Sequence, residues 1–332
     1  MEAFWEMIKN VLVFVALAVP GFLLVKTKVL SHEQSGVLSK ILMYVGMPFM
    51  IVNSTIKVDF SKSSLWALMG IAAAVGVVFT LAMFLVSKPA TAMEREGKTR
   101  GMMRFCSVFS NNGFIGLPLA AAVFSGNESL YMVVVIINII TNIMMYTLGI
   151  YLVSGDKKLM SWKKALFNPV LIGFIVGIIL NILGVRNIEA VLKANENLKP
   201  IVNFIGYLSG LVVPISMMIL GMKMGGVKFL QLFKSWKTYY VSALKLVVFP
   251  MVIVGILFAC RAIFGGSLFG FDMIVGVFIA IGTPTAGLAS AFSDHYNGDT
   301  ENAVAFTLGT TVLCVATIPL LYWLIDALLL LF

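Results

Sequence analysis

From its first residues the chain alternates long apolar stretches with short polar or glycine- and proline-rich breaks, and the stretches carry almost no charge. Crossing about 30 Å of hydrocarbon takes roughly 20 mainly apolar residues. Cutting at the breaks leaves ten such segments, near residues 7–26, 36–56, 65–87, 104–124, 130–153, 167–184, 201–222, 237–259, 271–293 and 303–331. None shows the two-residue alternation of a lipid-facing barrel strand. Each is therefore read as a helix, the other form in which backbone satisfies its own hydrogen bonds in lipid. The expected fold is an all-α polytopic membrane protein with ten transmembrane helices.

Prolines inside the segments mark a repeat. Pro48 and Pro214 are 166 residues apart, and so are Pro118 and Pro284. The same shift, half the chain length, carries Lys57 onto Lys223 and Gly116 onto Gly282, and lays the five early segments on the five late ones. The expected units are thus residues 1–166 and 167–332. Five is an odd number, so the second copy must enter the membrane from the opposite side. A 5+5 inverted repeat is an architecture of secondary transporters.

Composition removes the soluble alternatives. Hydrophobic residues make up 60% of the chain and charged residues 12%, against about 25% charged in soluble domains. A net charge of +9 could suggest nucleic acid, but in a membrane protein the distribution of charge between loops matters more. No nucleic-acid partner is expected; the surrounding partner is lipid. Cys106, Cys260 and Cys314 lie in apolar runs and are read as packing residues. The N-terminus lacks a basic leader, so the first apolar run is expected to be retained.

Orientation follows from Lys and Arg on alternate sides. Sixteen fall on one side, with clusters at Lys26 to Lys40, Lys88 to Arg104, Lys157 to Lys164 and Lys223 to Lys237, and seven on the other, from Lys9 to Arg261. The richer side is expected to be cytoplasmic. Both termini then lie outside the cytoplasmic membrane, and the link between the halves lies inside.

The fourth segment contains Ser110-Asn111-Asn112-Gly113-Phe114-Ile115-Gly116-Leu117-Pro118, and the ninth contains Gly282-Thr283-Pro284-Thr285-Ala286-Gly287. Two amides, two glycines and a proline do not write a continuous lipid-facing helix. Helices four and nine are expected to be broken and to cross near the midplane. Each break exposes free N–H groups and the positive end of a half-helix, which attract an anion without a buried cation. Asn111, Asn112, Gly113, Gly116, Pro118, Thr283, Pro284 and Thr285 are the candidate binding residues. The competing reading is that these small polar residues only glue helices together.

These motifs, with Phe292-Ser293-Asp294-His295-Tyr296-Asn297, Asn168-Pro169 and Thr317-Ile318-Pro319-Leu320, resemble those of the auxin efflux carrier family. That family includes plant auxin exporters and bacterial permeases for malate, malonate and similar acids. The resemblance covers the whole chain. It implies a ten-helix fold with crossed helices four and nine, a scaffold of helices one, two, six and seven, a transport unit of the other six, and frequent homodimerisation. It also implies that Asn111 holds the substrate carboxylate.

Lys245 lies inside the eighth segment, either facing the cavity as a charge partner or snorkelling to the interface, with the second reading slightly preferred. No carboxylate sits at either break, so nothing in the sequence supports cation coupling directly. Alternating-access efflux or exchange of a small carboxylate is the expected function. Sodium- or proton-coupled symport is the alternative, and a channel or receptor comes third. The chain has no His-Glu-x-x-His, P-loop or Gly-x-Ser-x-Gly, and His32 and His295 lie far apart, so neither an enzyme nor a metal or cofactor site is expected.

Overall fold

The computed structural model of the chain describes residues 9, 16–56, 60–61, 63–124, 126–160, 163, 166–167, 169–183, 199–226, 235–266 and 268–331. Most of the first expected segment's outer half, Asn168, and the orientation charges Lys57, Lys62, Lys164, Arg186, Lys193, Lys228 and Lys234 lie outside these residues. The described residues are nearly all helical and contain no strand. Twelve helices can be named in order. They are α1 (Ala18–Lys26), α2 (His32–Thr55) and α3 (Ser63–Ala90), α4 (Gly97–Val108), then α5 (Asn112–Val123) and α6 (Glu128–Ser154). After the linker come α7 (Pro169–Ile182), α8 (Val202–Gly225) and α9 (Trp236–Phe264), α10 (Phe271–Gly282), α11 (Ala289–His295) and α12 (Thr300–Leu331).

Six of them, α2, α3, α6, α8, α9 and α12, are long and apolar enough to cross a membrane unaided. They coincide with six of the ten expected segments. The fourth segment is divided between α4 and α5, and the ninth between α10 and α11, so neither is one continuous span. Local chemistry sets the helix ends. Ser31 and Gln34 close a capping box ahead of α2, with the Ser31 N–H donating to Gln34 Oε1 at 2.8 Å. Asn127 Oδ1 accepts from the Leu130 N–H to start α6, which stops where Gly155 takes the left-handed φ of 73° that a side chain would disfavour.

Four helices contain one wide turn each, with π-type geometry, at Leu42–Gly46, Asn112–Gly116, Met145–Gly149 and Leu244–Val248. Three are followed at the second residue by a proline, Pro48, Pro118 or Pro250. Proline has no N–H to give, and its ring crowds the carbonyl four residues back. Those carbonyls, on Tyr44, Phe114 and Leu246, all lie inside the wide turns, which absorb the clash without ending the helix.

Glycines draw two helix pairs together. A Cβ on Gly221 would collide with the Ala18 carbonyl oxygen, so α1 and α8 touch backbone to backbone there. A Cβ on Gly173 would lie 2.8 Å from the Pro48 oxygen, seating α7 on α2, and Asn181 Nδ2 donates to the Thr55 carbonyl at 3.2 Å to finish α2. Elsewhere α6 packs against α3 and α10, while α9 packs along α12.

Polar contacts gather where α3, α4 and α9 meet the turn between α11 and α12. Lys237 pairs with Glu94, and Lys98 Nζ donates to Asn297 Oδ1 at 3.2 Å. Thr99 Oγ1 and Asn302 Nδ2 both donate to Asp299. Burial pushes the Asp299 carboxyl up, but these hydrogen bonds outweigh it and leave the group below its ordinary range. Away from these contacts, Asn127 Nδ2 donates to Asp272 Oδ1 at 2.8 Å.

Candidate functional site

The two breaks meet. After α4 the chain turns extended at Phe109 (ψ 125°), and after α10 it turns extended at Thr283 (ψ 156°). Ser110 and Thr285 then form an isolated antiparallel bridge. The Asn111 N–H donates to the Pro284 carbonyl at 2.7 Å, and the Ala286 N–H to the Phe109 carbonyl at 2.9 Å. Backbone left unpaired when each helix stops is therefore paired with the other break, as a low-dielectric interior demands.

This geometry relocates part of the expected site. The first break lies at residues 109–111, at the start of the Ser110–Pro118 stretch expected to hold it, and Pro118 is accommodated by the wide turn at the start of α5. The free amides move. Ile115 and Gly116 both donate to the Asn111 carbonyl, at 2.9 and 3.3 Å, and Pro118 has no N–H. The first-turn groups of Asn112, Gly113 and Phe114 are the ones that precede any helical acceptor. Gly116 faces α10 instead, its Cβ position 3.5 Å from the Ile279 oxygen and from Thr283 Cγ2.

Beside the junction is a cavity of about 340 Å³. Ser110, Asn111, Asn112, Gly113 and Phe114 form one wall; Ala286, Gly287 and Leu288, which lead into α11, form another. Asn138, Asn142, Met145 and Tyr146 come from α6, and Met43, Tyr44 and Met47 from α2. Phe167, Pro169 and Val170 close it at the start of α7. All four wide turns thus bear on this region, since the fourth carries Lys245 to the junction.

Of the expected residues, Asn111, Asn112 and Gly113 line the cavity, while Gly116, Pro118, Thr283, Pro284 and Thr285 do not. Thr285 Oγ1 donates to the Cys106 carbonyl at 2.8 Å, at the end of α4, and the Thr285 N–H donates to Thr310 Oγ1 at 3.2 Å. Thr283 Oγ1 turns back to the Ala280 carbonyl, and Pro284 offers its oxygen to the bridge. These three residues build the junction. Lys245 departs from both expected positions: it neither snorkels nor lines the cavity. It is 1% exposed, and its Nζ donates to Ser110 Oγ and, at 3.0 Å, to the Ile281 carbonyl.

Two residues absent from the sequence reading complete the polar wall. Asn142 Nδ2 donates to both oxygens of Asn138, backbone at 2.8 Å and side chain at 2.9 Å. That occupies the Asn138 carbonyl and leaves its Nδ2 without a partner among the described residues. Asn112 Nδ2 is unpartnered too, and the two side chains are 0% and 2% exposed. The Gly113 backbone lies between them, its Cβ position 3.4 Å from Asn138 Oδ1. Only the four-residue spacing of Asn138 and Asn142 on one helix face could have hinted at the pair.

Among the described residues, no Asp, Glu, Lys, Arg or His lines the cavity. Its polar side chains are the amides of Asn111, Asn112, Asn138 and Asn142 with the hydroxyl-bearing Ser110, Tyr44 and Tyr146, beside the N-terminal end of α5. The rest is thioether, aromatic and aliphatic surface.

The sequence profile of the membrane transport protein family, the auxin efflux carrier type, matches residues 6–159 and 156–322. The chain belongs to this family. It is also 27% identical over 317 residues to an uncharacterized transporter of Methanothermobacter thermautotrophicus, an alignment covering 95% of this chain and 96% of the relative. The helices and cavity described above are therefore those of a multi-pass membrane transport protein.

Proposed function

We propose that this protein moves a small organic anion, a carboxylate, across the cytoplasmic membrane by alternating access, as efflux or exchange. The observation that carries the reading is the pair of buried amide donors, Asn112 Nδ2 and Asn138 Nδ2, unpartnered among the described residues, beside the N-terminal end of α5 in a cavity that no described acidic residue lines. Unpaired donors at such depth are expensive unless a ligand uses them. The positive helix end favours a negative ligand, and no fixed carboxylate repels it.

A division of the helices into two units gives the mechanism. Helices α1, α2, α7 and α8 act as a scaffold, and α3–α6 with α9–α12 act as the moving unit that carries the junction. The lining residues Tyr44 and Phe167 are 66% and 69% exposed, and three of the four α6 residues, Asn142, Met145 and Tyr146, lie between the helix midpoint and the linker end. With that end cytoplasmic, this is the inward-facing state. An inside-negative potential then favours anion exit by about 2.3 kcal/mol per charge per 100 mV.

Asn111 is the central test. A hydrogen bond to an ionised group contributes about 1.5–3 kcal/mol, so Asn111→Ala is expected to weaken binding about ten- to a hundredfold in folded protein. Asn111→Asp sets charge against charge in low dielectric, so binding is lost at neutral pH and partly returns on acidification. The measurement is equilibrium binding of labelled benzoate and succinate to purified, monodisperse protein. Wild-type affinity in folded Asn111→Asp protein overturns the reading.

A further inference from the structure

The last carbonyls of α10 have no helical donor ahead of them, because the chain leaves the helix at Thr283. They also carry the negative end of the helix dipole. In carriers with broken helices, such carbonyl ends, with unwound backbone beside them, are where a coupling sodium ion is held. Here the Ile281 carbonyl is already occupied. Lys245 Nζ reaches it at 3.0 Å, and Ser110 Oγ reaches it at 3.2 Å while accepting from the same Nζ. The lysine thus touches both breaks at once, the carbonyl end of α10 and the bridging residue that follows α4.

The placement is specific. Lys245 lies nine residues beyond Trp236, about 13 Å of helix rise from the start of α9, and stays buried where the same side chain could have reached out. The wide turn Leu244–Val248, backed by Pro250, shifts the register of α9 where the lysine leaves it.

We propose that Lys245 is the resident cation of the junction, occupying with its own ammonium the position that a sodium ion would otherwise take, so that transport runs without sodium. It is a positioning residue. It ties Ser110 to α10, and through the Ser110–Thr285 bridge it fixes Asn111, the next residue in the chain, against Gly287. Because the amine is covalently attached it stays through the cycle, and no sodium gradient enters the energetics. The transport half of this inference rests on the cavity being the substrate site; the cation half does not.

Two experiments separate those halves. In proteoliposomes, wild-type counterflow of benzoate or succinate is expected to be equal in sodium, potassium and choline chloride, and a requirement for sodium overturns the proposal. Without any substrate, Lys245→Ala opens a space at the Ile281 and Ser110 oxygens. Its melting temperature in detergent is expected to rise with sodium, ammonium or methylammonium chloride relative to choline, whereas that of the wild type does not. A folded Lys245→Ala protein indifferent to all three cations overturns the proposal. Lys245→Met fills the space without charge. It is expected to fold, to show no cation response and to transport at least about tenfold more slowly; wild-type rate in this variant overturns the proposal. Absence of carboxylate counterflow in the wild type counts against the cavity reading alone, and the melting comparison still decides the role of Lys245.

Discussion

Asn138 shows how a single side chain can cost stability and serve binding. Its buried Nδ2 has no partner among the described residues, and leaving such a donor unpaired costs about 1–3 kcal/mol. Asn138→Leu removes that group, while Asn142 keeps its bond to the residue's backbone oxygen. The variant is expected to melt at the wild-type temperature or above, yet bind the carboxylate about tenfold more weakly. Thermal unfolding and binding on the same preparation check this, and lower stability with unchanged affinity would assign Asn138 to packing. Asn111 and Asn112 were legible in the sequence because amides beside glycine and proline have no reason to lie in lipid. Asn138 and Asn142 sit in an otherwise regular helix, where polar residues usually pack against neighbours, so nothing local distinguished them. Lys245 was misread for a related reason. A long stem lets one sequence position serve two environments, and only the neighbouring α10 carbonyl selects between them.

At the scale of elements, composition named the interrupted segments but not the residue at which the helix stops. Glycines and a proline marked the stretch from Ser110 to Pro118, and the helix stops at its very start, at Phe109, because the stop is stabilised by backbone partners on the other break rather than by any local residue. Pro118 governs a subtler feature, the wide turn from Asn112 to Gly116. Pro118→Ala restores an N–H that can reach the Phe114 carbonyl and tighten this turn to ordinary helix pitch, rotating Asn112 and Gly113 away from the cavity. The expected result is equal or greater thermal stability with substrate binding reduced at least about tenfold, by the loss of one amide contact or more. Unchanged affinity would show that the turn does not aim the polar wall. The wide turn at Met145–Gly149 has no following proline and left no mark in the sequence; Gly149 lies against the Phe105 ring, its Cβ position 2.9 Å away.

For the molecule as a whole, the membrane segments were readable because hydrocarbon thickness imposes one length on every crossing helix. The grouping of Glu94, Lys98, Thr99, Lys237, Asn297 and Asp299 at one end was only partly so, since it joins residues up to 200 positions apart. That end is the one expected to face the cytoplasm. Single cysteines at Glu96 and Lys158 are therefore expected to resist an impermeant maleimide in intact cells and to react after permeabilisation. Labelling of either in intact cells would invert the orientation and the side to which the cavity opens. The bridge at the junction also bears on how the protein is made. Ser110 and Ile281, whose carbonyl accepts from the Ser110 hydroxyl beside that bridge, are 171 residues apart, so at a synthesis rate of about 5–20 residues per second roughly ten to thirty seconds separate their emergence from the ribosome. During that interval the first broken segment has no second break to satisfy its Phe109 carbonyl, Ser110 hydroxyl and Asn111 N–H. A polypeptide ending before α10 would keep those groups exposed in lipid indefinitely, which makes the nascent first half a substrate for membrane quality control until its counterpart arrives.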